Sequence, residues 1–154
     1  MKHLAIATVL LALAAPLALH AAAPVTHFPA ATPAGLGPMT AGPPYSAAVL
    51  AGDTLYVAGT TDGDPATGKP AADAKAGAKV VLDRIKATVE KAGLTMNDLV
   101  WVQVFATNLG DFGAFNEVYR SYFTGPMPAR AFIGAGSLLG GAHFEVMGIA
   151  VKPK

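Results

Sequence analysis

The segment "FEVMGIAV" at residues 144–151 limits the folds that this chain can adopt. Its composition is typical of a β-strand, and successive side chains of a strand point to opposite faces. Both alternating sets are mainly apolar: Phe144, Val146, Gly148 and Ala150 on one face, and Glu145, Met147, Ile149 and Val151 on the other. A sheet built around this strand therefore needs apolar cover on both of its faces.

The preceding sequence predicts a hairpin, a helix and a further strand. Strands at about residues 45–50 and 54–59 flank the turn signal Ala51-Gly52-Asp53. A helix follows, because Asp73 is a good N-cap and Ala92-Gly93 is a stop signal. Its apolar face consists of Ala78, Leu82, Ile85 and Val89. The segment "LVWVQVFA", residues 99–106, predicts a third strand, and we expect Trp101 to lie in the core.

A second helix and two more strands complete the predicted domain. Asp111 is a candidate cap for the helix, and "TGPMP" ends it. Its apolar stripe consists of Phe112, Phe115, Tyr119 and Tyr122. The segments "RAFIGA" and "HFEVMGIAV" are the last two strands. This order predicts an α+β domain with a mixed sheet and two helices on one face, so the uncovered apolar face predicts a homo-oligomer.

The N-terminal residues have the pattern of an export signal. A basic start at Lys2 precedes an apolar run that is shorter than the ~20 residues of a membrane span. We therefore expect a signal peptide at residues 1–21, a periplasmic or secreted protein, and no membrane association after cleavage. Residues 22–43 are rich in Pro and Gly and predict an extended leader, which leaves residues 44–154 as the folded domain.

Composition argues against several other classes of function. Eleven basic residues balance ten acidic residues, and no basic cluster with interleaved aromatics occurs, so nucleic acid is not an expected partner. The chain has no cysteine, which excludes disulfides and thiolate metal sites. His143 has no second histidine near it in the sequence, and "TDGDPATG" lacks the ligand pattern of a calcium loop. We expect no metal site.

Two charged residues in apolar surroundings are candidates for chemistry. Arg130, in "PMPARAFIGAG", is one of three arginines, and Glu145 is one of three glutamates. If their strands are neighbours in the sheet, the two side chains lie near one another. One interpretation is a buried salt bridge that only satisfies both groups. The other is a pocket in which a cationic anchor and a carboxylate base act together.

Several motifs carry a resemblance to a known family. They are "AGDTLYVAG", "VFATNLGDFGAFNEVY", "PAR" and the final "FEVMGIAV". Over about residues 43–152 the chain resembles the Rid family (reactive intermediate deaminase, also called the YjgF/YER057c/UK114 family). The resemblance implies a chorismate-mutase-like fold and a homotrimer with active sites between subunits. It also implies hydrolysis of 2-imino acids or their enamine tautomers to 2-oxo acids and ammonia, with no metal or organic cofactor.

The resemblance assigns roles to individual residues. Arg130 matches the arginine that holds the substrate carboxylate, and Glu145 matches the glutamate that activates water. Tyr45, Gly59 and Asn116 stand at pocket positions of the family.

Some positions depart from the family pattern. The family's "SGQ" is Ala58-Gly59-Thr60 here, and a small pocket residue two places after the arginine is Phe132. We expect Phe132 to point with Arg130 and to fill part of the pocket. An alternative to the deaminase is therefore a non-catalytic member of the same family, which binds small carboxylates or acts as a holdase.

Overall fold

The computed structural model describes residues 23–32, 42–64 and 66–153. The predicted signal peptide lies outside the described residues, as do residues 22 and 33–41 of the predicted leader. The elements are β1 (Val25–Pro29), β2 (Ser46–Ala51), β3 (Thr54–Thr61), α1 (Ala74–Lys91), β4 (Leu99–Ala106), α2 (Phe112–Arg120), β5 (Ala129–Gly134) and β6 (Phe144–Val151). Among the described residues, no helix is both long and apolar enough to cross a membrane.

One six-stranded mixed sheet organises the domain, in the order β1-β2-β3-β6-β4-β5. Neighbouring strands are antiparallel except β4 and β5, which are parallel and are joined through α2. The helices pack on one face of the sheet, as the sequence predicts. The prediction that the strands of Arg130 and Glu145 are neighbours is wrong, because β4 lies between β5 and β6.

The core lies between the sheet and the two helices. The Asp73 side chain accepts a hydrogen bond from the Ala76 amide at 2.9 Å and so caps α1, and the helix ends at Ala92-Gly93, where Gly93 has a φ of 76°. The predicted face of α1 is buried, and the most buried large side chains include Leu82, Ile85, Phe115 and Phe144. Asp111 precedes α2 without a side-chain capping bond, and Asn108 instead bonds the Gly110 amide.

Two further details of the sequence-based prediction are wrong. Part of the expected leader, Val25–Pro29, is β1, which pairs with β2 and so extends the sheet beyond the predicted domain. The Pro/Gly content of residues 22–43 hides this strand, which has only five residues. Trp101 does not lie in the core but is 37% exposed on the face of the sheet without helices. We call this the open face.

The open face is apolar across three adjacent strands. Tyr56 on β3 and Trp101 on β4 are both in register with Ile149 on β6, which places the three side chains in one row. Tyr56 is 52% exposed in the single chain, and no helix covers this row. Large apolar surfaces of this kind on soluble domains are typical of protein interfaces. The alternation of apolar residues along β6 is thus reproduced in the structure, and its open side is available to a second subunit.

We expect the purified protein to be a homo-oligomer, and the family resemblance predicts a trimer. Light scattering should then give the mass of three chains. Tyr56→Asp should shift it towards monomer, because a charge in a buried apolar interface costs several kcal/mol. Ala87→Asp, on the exposed surface of α1, is the control and should leave the mass unchanged. A monomeric wild-type protein would contradict the prediction.

Candidate functional site

Arg130 lies on the helix face of the sheet, next to α2. Its register partner on β4 is the buried Val102, and its Nη2 donates a hydrogen bond to Asn116 Oδ1 at 2.6 Å. The guanidinium carbon is 4.6 Å from the centroid of the Tyr119 ring. It is also 5.7–5.8 Å from three other ring centroids, those of Phe112, Phe115 and Phe132. Rings at these distances stabilise a cation and restrict its position.

The charge of Arg130 has no acidic partner within the described chain. The ion pairs found among residues 23–32, 42–64 and 66–153 are Lys75–Glu117, Lys79–Asp83, Lys86–Glu90 and His143–Asp62. Burial lowers the pKa of Arg130 below its ordinary value, Tyr119 opposes the lowering, and the charge of Arg120 adds to it. Arginine nevertheless remains charged at neutral pH. A half-buried cation with a neutral amide as its acceptor is suited to bind an anion.

Glu145 lies on the other face of the sheet. It is in register with Thr61 on β3 and with Phe105 on β4, and Phe105 is in register with Ile133 on β5. Because Phe105 is three residues from Val102 along β4, Glu145 and Arg130 point to opposite faces. Within one chain they therefore form neither a salt bridge nor a common pocket. Both interpretations drawn from their spacing are wrong for the single chain.

The Glu145 carboxylate lies directly over the backbone of Gly59. A Cβ built at position 59 would clash with Glu145 Oε1, and would also lie 3.1 Å from Cδ. Gly59 belongs to a β-bulge, since the β3–β6 register shifts between Val57 and Thr60. The bulge brings the β3 backbone close to the carboxylate, and only glycine leaves room for it.

The other predicted site residues lie either near Arg130 or near Glu145 and Gly59. Asn116 and Phe132 lie beside Arg130, and Phe132 contacts Phe112 edge to face with the ring centroids 5.1 Å apart. The expectation that Phe132 points with Arg130 is confirmed. Thr60 follows Gly59 but is in register with Val146, on the helix face.

Tyr45 lies at the end of β2 that runs beside the Gly59 end of β3, since Ala48 pairs with Val57 in antiparallel register. It immediately precedes β2, is 48% exposed, and lines a groove with His27 and Pro29. The structure thus shows an Arg130 cluster and a Glu145–Gly59 cluster on opposite faces. No group of three potential metal-binding side chains was found among the residues that the structure describes.

The sequence analysis placed Asn116 of α2 in the pocket but treated the aromatic residues of α2 only as an apolar stripe, and so missed their contribution to the Arg130 site. Phe115 and Tyr119 are buried as predicted, but their rings, with that of Phe112, also surround the guanidinium. The available signal was Asn116, which lies between these aromatics in the sequence and presents an acceptor to the same arginine. The aromatic stripe of α2 and the Arg130 motif therefore form a single site.

The Tyr119 hydroxyl is buried, with no hydrogen-bond partner in the described part of the chain. Burial raises the pKa of Tyr119 to about 12, against a smaller opposing effect of Arg130, so the hydroxyl is neutral. The Tyr122 hydroxyl differs, because it donates a hydrogen bond to Asp83 Oδ1 at 2.7 Å. Tyr122 was predicted in the apolar stripe of α2 but lies just beyond the end of the helix at Arg120, three residues after Tyr119, and the two tyrosines form a matched pair.

We expect Tyr119→Phe to leave the free energy of unfolding unchanged or to raise it, since the variant removes a buried group without a bond. Tyr122→Phe should lower it by about 1 kcal/mol, because a made hydrogen bond is lost. Urea unfolding of both variants measures the difference. An equal loss in Tyr119→Phe would show that its hydroxyl is bonded in solution.

Comparisons with known proteins agree with this fold and with these motifs. Residues 38–152 match the family described as Endoribonuclease L-PSP. The chain is 39% identical over 110 residues to a RutC family protein of Pyrococcus horikoshii, covering 71% of this chain and 87% of the relative. It is 34% identical over 122 residues to the 2-iminobutanoate/2-iminopropanoate deaminase of Mus musculus, covering 78% and 85%.

Solved structures give the same result. The structure of the YjgF gene product of E. coli has a TM-score of 0.70 at 33% identity, over 83% of this chain and all of that chain. That of E. coli TdcF with bound serine has a TM-score of 0.68 at 31% identity, over 80% and 94%. The fold is therefore the chorismate-mutase-like α+β fold that the resemblance implies. The chain belongs to the Endoribonuclease L-PSP family, which is the Rid (YjgF/YER057c/UK114) family that its motifs resemble.

Proposed function

We propose that this protein hydrolyses 2-imino acids or their enamine tautomers to 2-oxo acids and ammonia. The observation that carries the proposal is the Arg130 guanidinium, which is fixed by Asn116 and aromatic rings but has no carboxylate partner in the described chain. An imino acid supplies that carboxylate. Relatives from mouse, rat and Dermatophagoides farinae, 34–36% identical, are named 2-iminobutanoate/2-iminopropanoate deaminase, which supports the same reaction here.

Arg130 would orient the substrate. A guanidinium binds a carboxylate through two parallel charge-assisted hydrogen bonds, which fixes the direction of the adjacent C=N carbon. Asn116 occupies one side of the guanidinium, and the rings hold its plane, so little side-chain freedom is lost on binding. This positions the electrophilic carbon for attack by water.

Glu145 would activate that water. Its carboxylate lies beside the Gly59 backbone and takes part in none of the ion pairs found among the described residues. A free carboxylate next to the substrate carbon accepts a proton from water as the C–O bond forms. It passes this proton to the nitrogen, which gives a carbinolamine, and then carries the remaining hydroxyl proton to the nitrogen, so that ammonia leaves as the C–N bond breaks and the C=O bond forms. General base catalysis of this kind contributes typically 10²–10⁴-fold.

The opposite orientations of Arg130 and Glu145 support an active site shared by two subunits. A site that combines them requires Arg130 from one subunit and Glu145 from its neighbour, and the apolar row through Tyr56 and Trp101 offers the contact surface. We propose a homotrimer with Arg130, Asn116 and Phe132 on one side of each interface and Glu145 and Gly59 on the other. Tyr45 and Thr60 are proposed as further substrate-binding residues of these sites.

The family description names an endoribonuclease, but the charge of this chain favours a small ligand. The formal net charge is +1, and Lys75, Lys79 and Lys86 on the helix surface are each paired with an acidic residue. Nucleic-acid binding needs unpaired basic residues along a groove. The serine bound in TdcF is, in contrast, a small amino acid with a carboxylate. We also propose export through cleavage of residues 1–21, on the signal pattern alone.

A non-catalytic role is the second candidate, because Phe132 lies against the guanidinium and narrows the space beside it. In that case the protein captures a small carboxylate, or acts as a holdase, without turning the ligand over. Both candidates require Arg130 for binding. They differ in whether Glu145 is needed for a reaction.

We expect Glu145→Gln to lower kcat for 2-iminobutanoate by roughly 10²-fold or more, because the amide cannot accept the proton from water. Its affinity for 2-oxobutyrate, measured by calorimetry, should stay within a few fold. Arg130→Ala should lose that affinity. Glu90→Gln, an exposed pair partner of Lys86 on α1, is the matched control and should behave as wild type.

The assay follows ammonia and 2-oxo acid release from imino acids that an amino acid oxidase generates. Activity of wild type no higher than that of Arg130→Ala would overturn the deaminase proposal. Binding of 2-oxobutyrate by wild type without turnover would favour the non-catalytic alternative.

A further inference from the structure

Asp62 is the buried charged residue of the described chain and is 1% exposed. Both oxygens of its carboxylate have hydrogen-bond partners. Its Oδ1 accepts hydrogen bonds from the amides of His143 at 2.8 Å and Phe144 at 3.1 Å. Its Oδ2 lies 2.8 Å from His143 Nδ1 and accepts a weaker bond from the Ala71 amide at 3.4 Å. Three backbone amides and the His143 ring nitrogen therefore surround this one carboxylate.

Two residues of α1 accommodate the Asp62 carboxylate and the chain on either side of it. Gly77 is buried inside α1, where glycine costs about 0.5–1 kcal/mol relative to alanine. A Cβ at position 77 would lie 2.7 Å from Asp62 Oδ2, which explains the glycine. Arg84, also on α1, donates hydrogen bonds to the carbonyls of Thr61 and Gly63, on both sides of Asp62. The helix therefore holds the end of β3 in place.

Asp62 also holds the start of β6, which carries Glu145. Beyond the Ala58-Gly59 bulge, β3 pairs with β6 only at Thr60↔Val146 and Thr61↔Glu145. The pairing with β3 then stops, and the Asp62 side chain instead accepts hydrogen bonds from the amides of Phe144, the first residue of β6, and of His143, which precedes it. On its other side β6 pairs with β4 as far as Phe144↔Ala106, so Asp62 supplies the hydrogen bonds that β3 no longer makes to this end of β6.

We propose that Asp62 and His143 are a positioning pair that fixes Glu145 over Gly59. This inference rests on the proposed function. Neither residue is proposed to touch the substrate, since Asp62 is enclosed and its oxygens are occupied. The pair acts through the backbone of β6, and a misplacement of about 1 Å at a catalytic group can cost up to 10²-fold in rate.

The test is a double-mutant cycle on kcat, with all rates normalised to the folded sites counted by 2-oxobutyrate binding. We expect Asp62→Ala to lower kcat by about tenfold to a hundredfold when Glu145 is present. In a Glu145→Gln background the same change should have less than about a twofold effect, because the group that Asp62 positions no longer acts. The Kd for 2-oxobutyrate should change little in either background.

Asp62→Asn should rescue most of kcat, since the amide oxygen still accepts from the two backbone amides. Asp64→Ala is the matched control, because Asp64 is exposed and its side chain accepts hydrogen bonds, among the described residues, from Ala66 and Thr67 of its own loop. It should keep wild-type kcat. If Asp62→Ala does not fold, His143→Ala decides, and it should lower kcat only in the Glu145 background.

An equal loss of kcat in both backgrounds would overturn the positioning role, as would full activity of the folded Asp62→Ala or, in its place, His143→Ala protein. Failure of the proposed function gives a different result. In that case Glu145→Gln alone keeps wild-type kcat, or no variant and no wild-type protein turns over the imine.

Discussion

The Arg130 guanidinium is the constraint on which the proposed chemistry depends. It is drawn into an aromatic pocket by Phe112, Phe115, Tyr119 and Phe132, and its hydrogen-bond acceptor among the described residues, Asn116, is neutral. Rings and an amide hold the cation in position but do not neutralise it. An anionic ligand therefore gains more from this arginine than from one that already has a carboxylate partner.

β6 connects this constraint to the rest of the molecule. It is the strand with β3 on one side and β4 on the other, its helix face fills the core, and its open face carries Glu145 in an apolar surface. The bulge at Gly59 brings a backbone against the carboxylate, and Asp62 holds the next residues of β6 from inside. A strand fixed in this way presents Glu145 to whatever covers the open face.

Local patterns in the sequence predicted most of the fold. The pairing of distant segments is not contained in such patterns, and there the prediction failed. The bounds of β4, the Asp73 cap and the alternation along β6 depend on neighbouring residues, and the structure reproduces them. The order of strands does not depend on neighbours, so β5 and β6 were wrongly placed side by side. That error put Arg130 and Glu145 together. The family motifs named both residues, but only the register shows that they occupy opposite faces.

The most direct test of the account is to mix two inactive variants. Arg130→Ala and Glu145→Gln chains, unfolded together and refolded in equal amounts, should regain activity, because some interfaces then join an intact arginine to an intact glutamate. With random assembly into a closed ring, about one interface in four is of this kind, so about a quarter of wild-type activity is expected. Activity no higher than that of the separately refolded variants would show that the two residues do not meet across an interface.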